Sequence, residues 1–194
     1  DVYKRQGLDP ANRYVLFFGL IRDYKGLDLL LDAWAQLRRA GRTEGRRLIV
    51  AGEFYTAREP YLNRIADNGL QDEVLLHDRF IPDDDVKYYF SAADFVVQPY
   101  KTATQSGVTQ IAYQFCVPMV VTKVGGLAEI VPDGRVGYVC EPTPEGVAGA
   151  IERMYEGDTL QRFRENCVEE RRRFSWEEMC SRITELYGLV ASGK

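Results

Sequence analysis

The sequence predicts an α/β fold, a doubly wound, Rossmann-like parallel sheet of about six strands followed by a C-terminal helical tail. Three features carry this. Short apolar runs alternate with amphipathic segments along most of the chain. The runs are continuously apolar, as strands buried on both faces are, rather than alternating with polar residues. Glycines and small polar residues follow several of the runs, where a strand would hand over to a helix.

The elements follow in order. Tyr14 to Leu20 (YVLFFGL) reads as a buried strand, and Leu27 to Leu37 as a helix with an apolar stripe at Leu27, Leu30, Leu31, Trp34 and Leu37. Arg47 to Ala51 is a second strand, stopped by Gly52. Pro60 to Leu70 carries Leu62, Ile65, Ala66 and Leu70 at helical spacing, and Val74 to Leu76 is a short third strand. Asp83 to Ala92 opens on three acids, which suit the positive end of a helix. A fourth strand, Phe95 to Gln98, precedes a helix starting near Ser106 or Gly107 and running to Phe115. Met119 to Thr122 and Gly137 to Cys140 are the fifth and sixth strands, with a short helical turn at Leu127 to Val131 between them. Helices then dominate, at Pro144 to Tyr155, Leu160 to Glu170 and Trp176 to Leu189. Ser175 and Glu178 have capping-box spacing for the last of them.

A chain of 194 residues suits one domain with its own core. Residues 7–194 are assigned to that domain, the segment from about Asp158 being its helical tail. The opening Asp1-Val2-Tyr3-Lys4-Arg5-Gln6 can be encoded by GAT GTG TAT AAG AGA CAG, the transposon end used in preparing sequencing libraries. It is read as a translation scar, and the native protein is expected to continue upstream of Gly7. A net charge of -4 gives no global pull toward nucleic acid. Cys116, Cys140, Cys167 and Cys180 form no CxxC pair, and none lies near the single histidine, His77, in sequence. They are expected to be reduced, with no metal site. No apolar run approaches the ~20 residues of a membrane span.

Doubly wound sheets bind ligands at the carboxyl ends of their strands, and three loops there carry suitable chemistry. In Gly19-Leu20-Ile21-Arg22-Asp23-Tyr24-Lys25-Gly26, two cations flank a place where backbone can approach closely, a combination that fits a diphosphate. In the segment from Thr102 to Gln110, small residues leave a helix start open to an anion. There Thr104, Ser106 and Thr109 add hydroxyls, and Gln110 could bond a ribose or sugar hydroxyl. In Val124-Gly125-Gly126-Leu127-Ala128-Glu129 a tight turn precedes Glu129, which either meets a ligand or caps its own helix. There is no GxGxxG after the first strand, no Walker lysine loop and no Ser-His-Asp order. His77 is expected to cap or follow the third strand, and Asp83-Asp84-Asp85 to be helix-start charge.

The ordered set FFGLIRDYKG, RLIVAGE, FIPDDDVKYYFSAADFVVQPY, QSGVTQIAYQFCVPMVVTKVGGLAEIV and FSWEEM resembles the C-terminal domain of family 4 glycosyltransferases, which have the two-domain GT-B architecture. The resemblance runs from Tyr14 to about Leu189. It implies a retaining transferase whose donor is a nucleoside diphosphate sugar, such as a UDP- or GDP-sugar, bound without metal or cofactor. It implies that Arg22 and Lys25 hold the diphosphate. It further implies that Phe80 and Ile81 meet the base through backbone groups, and that Gly107, Val108 and Thr109 meet the distal phosphate. With Gly19, Gly52, Ser106 and Gln110 these make up the expected donor site, Arg22 and Lys25 being the candidates for stabilising the leaving group.

The sequence departs from the family pattern in one place. The family usually carries two glutamates seven residues apart around the helix from Ser106 to Gln114, and no glutamate occurs from Tyr100 to Val124. Gln105 and Gln110 remain as neutral substitutes. The N-terminal domain that would contact a glycan or lipid-linked acceptor is expected to be missing, so the fragment is expected to bind nucleotide without transferring sugar. The expected setting is a bacterial cytoplasm, with any contact to the inner face of the membrane, as in polysaccharide biosynthesis, made by the missing half. The apolar face of the last helix, with Trp176, Met179, Ile183, Leu186 and Tyr187, either crosses to that half or packs on its own domain. The alternatives are another GT-B enzyme, such as a nucleotide-sugar epimerase or glycogen-synthase-like protein, and a non-catalytic carbohydrate- or partner-binding module on the same fold.

Overall fold

A computed structural model describes residues 7–191; Asp1 to Gln6, read above as a scar, lie outside the described residues. Six strands form one sheet: β1 (Arg13–Phe18), β2 (Arg46–Ala51), β3 (Val74–His77), β4 (Phe95–Gln98), β5 (Met119–Thr122) and β6 (Gly137–Cys140). Every pairing is parallel, and the order is β3-β2-β1-β4-β5-β6. The chain starts in the middle of the sheet, works outward to β3, and returns to the other side of β1. The order therefore reverses between β1 and β4. Loops leaving those two strands diverge there and open a crevice.

The helices are α1 (Leu27–Arg39), α2 (Glu59–Asp67), α3 (Asp83–Ala92), α4 (Gly107–Gln114), α5 (Leu127–Ile130), α6 (Pro144–Met154), α7 (Thr159–Glu170) and α8 (Trp176–Ala191). Short 3-10 turns at Asp23–Lys25 and Arg171–Phe174 were not foreseen. Alternate residues of each strand feed opposite cores. Val15 and Phe17 join Leu30, Trp34 and Ile151 on one face; Tyr14 and Leu16 join Tyr89, Val108 and Tyr113 on the other. Both faces of the sheet are thus covered, as the unbroken apolar runs require.

Of the helical end, α7 packs into the body. Phe163 is fully buried against Tyr138, with ring centroids 5.1 Å apart, and Arg164 donates to the carbonyl of Ala93 at 2.7 Å, at the C-terminus of α3. In contrast, α8 leaves the body. Trp176 is 76% exposed and Tyr187 75%, and Ile183 and Leu186 are exposed with them. This face does not pack on its own domain. The Ser175 hydroxyl accepts from the Glu178 amide at 3.2 Å, as a capping box needs, but Glu178 turns its carboxylate to Arg182 at 2.8 Å.

Candidate functional site

The loop leaving β1 is built by glycine geometry. Gly19 turns the chain with φ +102, ending the strand two residues before the apolar run ends. A Cβ on Gly19 would lie 3.0 Å from the Lys25 ammonium and 3.7 Å from Val108 Cγ2, so the glycine marks where the first loop, the cation and the start of α4 meet. Gly52, at φ +152, lets the loop leaving β2 approach the Gly19 carbonyl, which a Cβ would reach at 2.0 Å. That approach continues as the bonds Ile21 N to Glu53 O at 2.8 Å and Tyr55 N to Ile21 O at 2.9 Å. They place Tyr55 beside Arg22, whose guanidinium lies 5.2 Å from the ring centroid.

Two lysines stand at this rim in opposite electrostatic states. Lys101, in the loop leaving β4, is paired with Asp23 at 2.8 Å and with Asp28 at 2.9 Å. Its amide also donates to the Tyr24 carbonyl at 2.7 Å, tying the loops of β1 and β4 together. Lys25 has no carboxylate partner among the described residues. Burial and the neighbouring Arg22 charge hold its pKa below the usual lysine value, and its ammonium lies 5.8 Å from the Tyr100 ring centroid. A half-buried cation next to another cation, with no carboxylate paired to either among the described residues, is a place where an anion gains energy.

The start of α4 completes the site. Ser106 is its N-cap, the hydroxyl accepting from the Val108 amide at 3.2 Å. Gly107 at the first helical position is exposed, and a Cβ there would meet nothing within 4 Å. Nothing crowds this positive end of the helix. The third loop braces the second: a Cβ on Gly125 would reach the Ala103 carbonyl at 1.5 Å, and Gly126 N donates to Thr104 O at 3.1 Å.

The structure thus brings together Gly19, Lys25, Ser106, Gly107 and Val108, with Arg22 at the margin and Gly52 supporting from below. The other candidates lie as follows. Thr109 is fully buried and its hydroxyl donates to the Ser106 carbonyl, so the helix's own first turn uses it. Gln110 and Gln105 line a cavity of about 520 Å³ with Arg173, Phe174 and Trp176, facing the segment that leads into α8. Phe80, 65% exposed, and Ile81, buried, lie in the loop leaving β3, two strands from β1. Glu129 is exposed and its amide donates to Gly126 O at 3.2 Å within its own turn.

His77 ends β3, its Nδ1 2.9 Å from the Tyr89 hydroxyl, and burial and Arg79 lower its pKa. Asp83, Asp84 and Asp85 form the first turn of α3. The four cysteines are unbridged, and among the described residues no three His, Cys, Asp or Glu side chains gather as metal ligands. No helix among the described residues is long and apolar enough to cross a membrane. A further cavity of about 630 Å³ opens at the opposite end of the strands, but its arginines are already engaged. There Arg13 pairs with Asp94 at 2.9 Å, and the Arg46 guanidinium stacks 3.9 Å from the Tyr155 ring centroid.

Sequence reading missed Tyr100. It is 3% exposed, lies against Lys25 and contacts Ser106. Its position directly after Pro99, at the carboxyl end of a central strand, is the signal that could have singled it out.

Comparison with known proteins places the chain in a family. Residues 12–157 match the family profile described as Glycosyl transferases group 1. The D-inositol 3-phosphate glycosyltransferase 2 of Catenulispora acidiphila is 33% identical over 193 residues, which covers 93% of this chain and 44% of that protein. The chain therefore spans less than half of this relative. Among solved structures, sucrose-phosphate synthase from Thermosynechococcus elongatus shares the fold, with a TM-score of 0.79 at 23% identity, over 100% of this chain and 49% of that one. Anabaena HepE, solved in complex with UDP, gives a TM-score of 0.78 at 25% identity over 96% of this chain and 52% of that one. With its 3-2-1-4-5-6 sheet, its cationic rim and a family match over 146 of its residues (12–157), this chain belongs to the group 1 glycosyl transferases.

Proposed function

We propose that the chain is the donor-binding half of a retaining family 4 glycosyltransferase. It would hold a nucleoside diphosphate sugar while the sugar passes to a glycan or lipid-linked acceptor. The observation that carries this is the unbalanced cation Lys25, with Arg22 beside it and the start of α4 across from it. When the bond from the sugar's anomeric carbon to the diphosphate breaks, the electron pair goes to the phosphate oxygen. Charge that accumulates there is stabilised by groups already in place, at no cost of reorganisation. Arg22, Lys25 and the Gly107 end of α4 are such groups, and they would serve a diphosphate without metal. HepE's complex with UDP supports a uridine donor.

Acceptor contacts belong to the part of the full-length relatives that this chain does not span, so the fragment would bind donor and transfer nothing. The cell's cytoplasm, where nucleotide sugars are consumed in polysaccharide synthesis, is the proposed setting, with any membrane contact made by that other part. A second reading, a module that keeps the fold without the chemistry, is favoured by the absence of glutamate from Tyr100 to Val124. Titration calorimetry with UDP and GDP, without added metal, decides between them. Saturable binding to one nucleotide, lost in the Arg22→Ala/Lys25→Ala variant, is expected. A flat titration with both, in a protein shown to be folded, would sink the donor reading.

A further inference from the structure

Tyr100 touches both halves of the proposed phosphate cradle. It follows Pro99 out of β4, and its carbonyl is anchored by the Thr122 hydroxyl at 2.6 Å, at the carboxyl end of β5. Its ring packs edge to face with Tyr24, centroids 6.1 Å apart, and lies 5.8 Å from the Lys25 ammonium. A ring face at that distance attracts a cation and fixes where it sits. Its hydroxyl is 3.2 Å from Ser106 Oγ.

Either oxygen can donate in that last bond. Burial pushes the Tyr100 phenol up to about 12, so it stays protonated and able to donate. A serine hydroxyl has two lone pairs and one proton. One lone pair of Ser106 takes the Val108 amide at 3.2 Å, which leaves the other open to accept from the Tyr100 hydroxyl. With the phenol donating, the Ser106 O–H is left over at the N-terminus of α4.

We propose that Tyr100 is a positioning residue for nucleoside diphosphate binding: its ring seats the Lys25 ammonium, and its hydroxyl occupies Ser106 so that the serine donates its proton to a phosphate oxygen. The inference rests on the donor-binding reading above. It adds a residue that touches neither phosphate nor sugar and acts through the two groups that do.

Two substitutions separate the two actions. Tyr100→Phe keeps the ring and removes the hydroxyl; Tyr100→Leu removes both. In calorimetry with UDP and GDP, Tyr100→Phe should weaken the bound nucleotide by about fivefold, the worth of one hydrogen bond. Affinity for the monophosphate, which lacks the distal phosphate, should barely change. In a Ser106→Ala background the same substitution should cost nothing further, because its effect passes through that serine. A Tyr100→Phe protein that binds as wild type, or an undiminished loss in the Ser106→Ala background, overturns the proposal.

Spectra of the ligand-free protein keep the two readings distinguishable. The ring-current shift of the Lys25 Hε protons should survive Tyr100→Phe and vanish in Tyr100→Leu. The Val108 amide proton should move in Tyr100→Phe as its acceptor reorients. If neither nucleotide binds, the donor reading fails and the positioning role falls with it; if a nucleotide binds and these shifts are absent, the positioning role alone is overturned.

Discussion

A side-chain carbon on Gly26 would stand 1.9 Å from the carbonyl oxygen of Pro99. Gly26 also has φ +68, a conformation that costs other residues energy. The contact joins the end of the β1 loop to the end of β4, across the point where strand order reverses. Gly26→Ala is expected to destabilise the protein by roughly 2–4 kcal/mol, combining strain with overpacking. Thermal unfolding checks this, and a Tm within a degree of wild type would contradict it. At temperatures where the variant remains folded, its nucleotide affinity should still fall, because the cradle loops no longer meet.

Replacing both cations should remove binding almost completely. Charge-assisted hydrogen bonds to phosphate are worth about 1.5–3 kcal/mol each, so Arg22→Ala/Lys25→Ala should weaken UDP or GDP by at least about 100-fold. Lys101→Ala should weaken them far less, since Lys101 is already neutralised by Asp23 and Asp28. Parallel titrations of the two variants test the contrast.

Lys25 should trade stability for binding. Its folded-state pKa lies below the unfolded value, so the unfolded chain binds the proton more tightly, and the charged lysine costs stability at neutral pH. That cost is relieved as pH rises through the lowered pKa. Lys25→Met is therefore expected to raise Tm by a few degrees at pH 7 while weakening nucleotide binding. A Tm that falls would contradict the assignment.

Binding should fail at high pH earlier than an ordinary lysine would dictate. Lys25 loses its proton below the usual value of 10.5, and the attraction for diphosphate goes with it. Affinity measured from pH 7 upward should start to drop below pH 10.5, and Lys25→Arg should move that drop upward. Identical profiles for the two proteins would place the titration elsewhere.

The uncovered face of α8 should drive association. Trp176, Met179, Ile183, Leu186 and Val190 recur at three- and four-residue steps and are all exposed. Sedimentation of this chain should show concentration-dependent oligomers that Ile183→Glu disperses, with nucleotide affinity unchanged. A wild-type chain that stays monomeric at high concentration would contradict this.

Much of the fold was legible in the sequence because its strands are short apolar runs closed by breakers. Phe95–Gln98, Met119–Thr122 and Gly137–Cys140 fall where their patterns put them, and α3 begins at its first aspartate. Errors came where a glycine overrode an apolar pattern. The run from Tyr14 to Leu20 suggested a longer strand, but Gly19 turns the chain after Phe18. Leu70 continued the helical stripe of α2. However, the helix ends at Asp67 because Gly69 adopts φ +65 and Leu70 N returns to Ile65 O at 2.9 Å, a Schellman closure. In the candidate site, the loops were legible because charge and glycine cluster after strands. The uses of Thr109 and Gln110 were not, because helix phase decides whether a polar side chain meets its own backbone, a neighbouring segment or the rim. Tyr100 escaped notice because a buried aromatic residue looks the same in sequence whether it fills a core or supports a lysine.

From Phe95 to Ala128 the chain has no acidic side chain, and its charged residues there are Lys101 and Lys123. This stretch contains β4, the loop that holds Tyr100 and Ser106, all of α4, and β5. Lys101 is met by Asp23 and Asp28 from the β1 side, but Lys25 has no carboxylate partner among the described residues, so the field at that part of the rim reaches outward into solvent. Mobile ions will therefore compete for it. Although the whole chain is negative, capture of an anionic donor should slow and weaken steeply as ionic strength rises past the point where the Debye length shrinks below about 10 Å. Salt concentration thus becomes a tuning variable for anion capture by this chain.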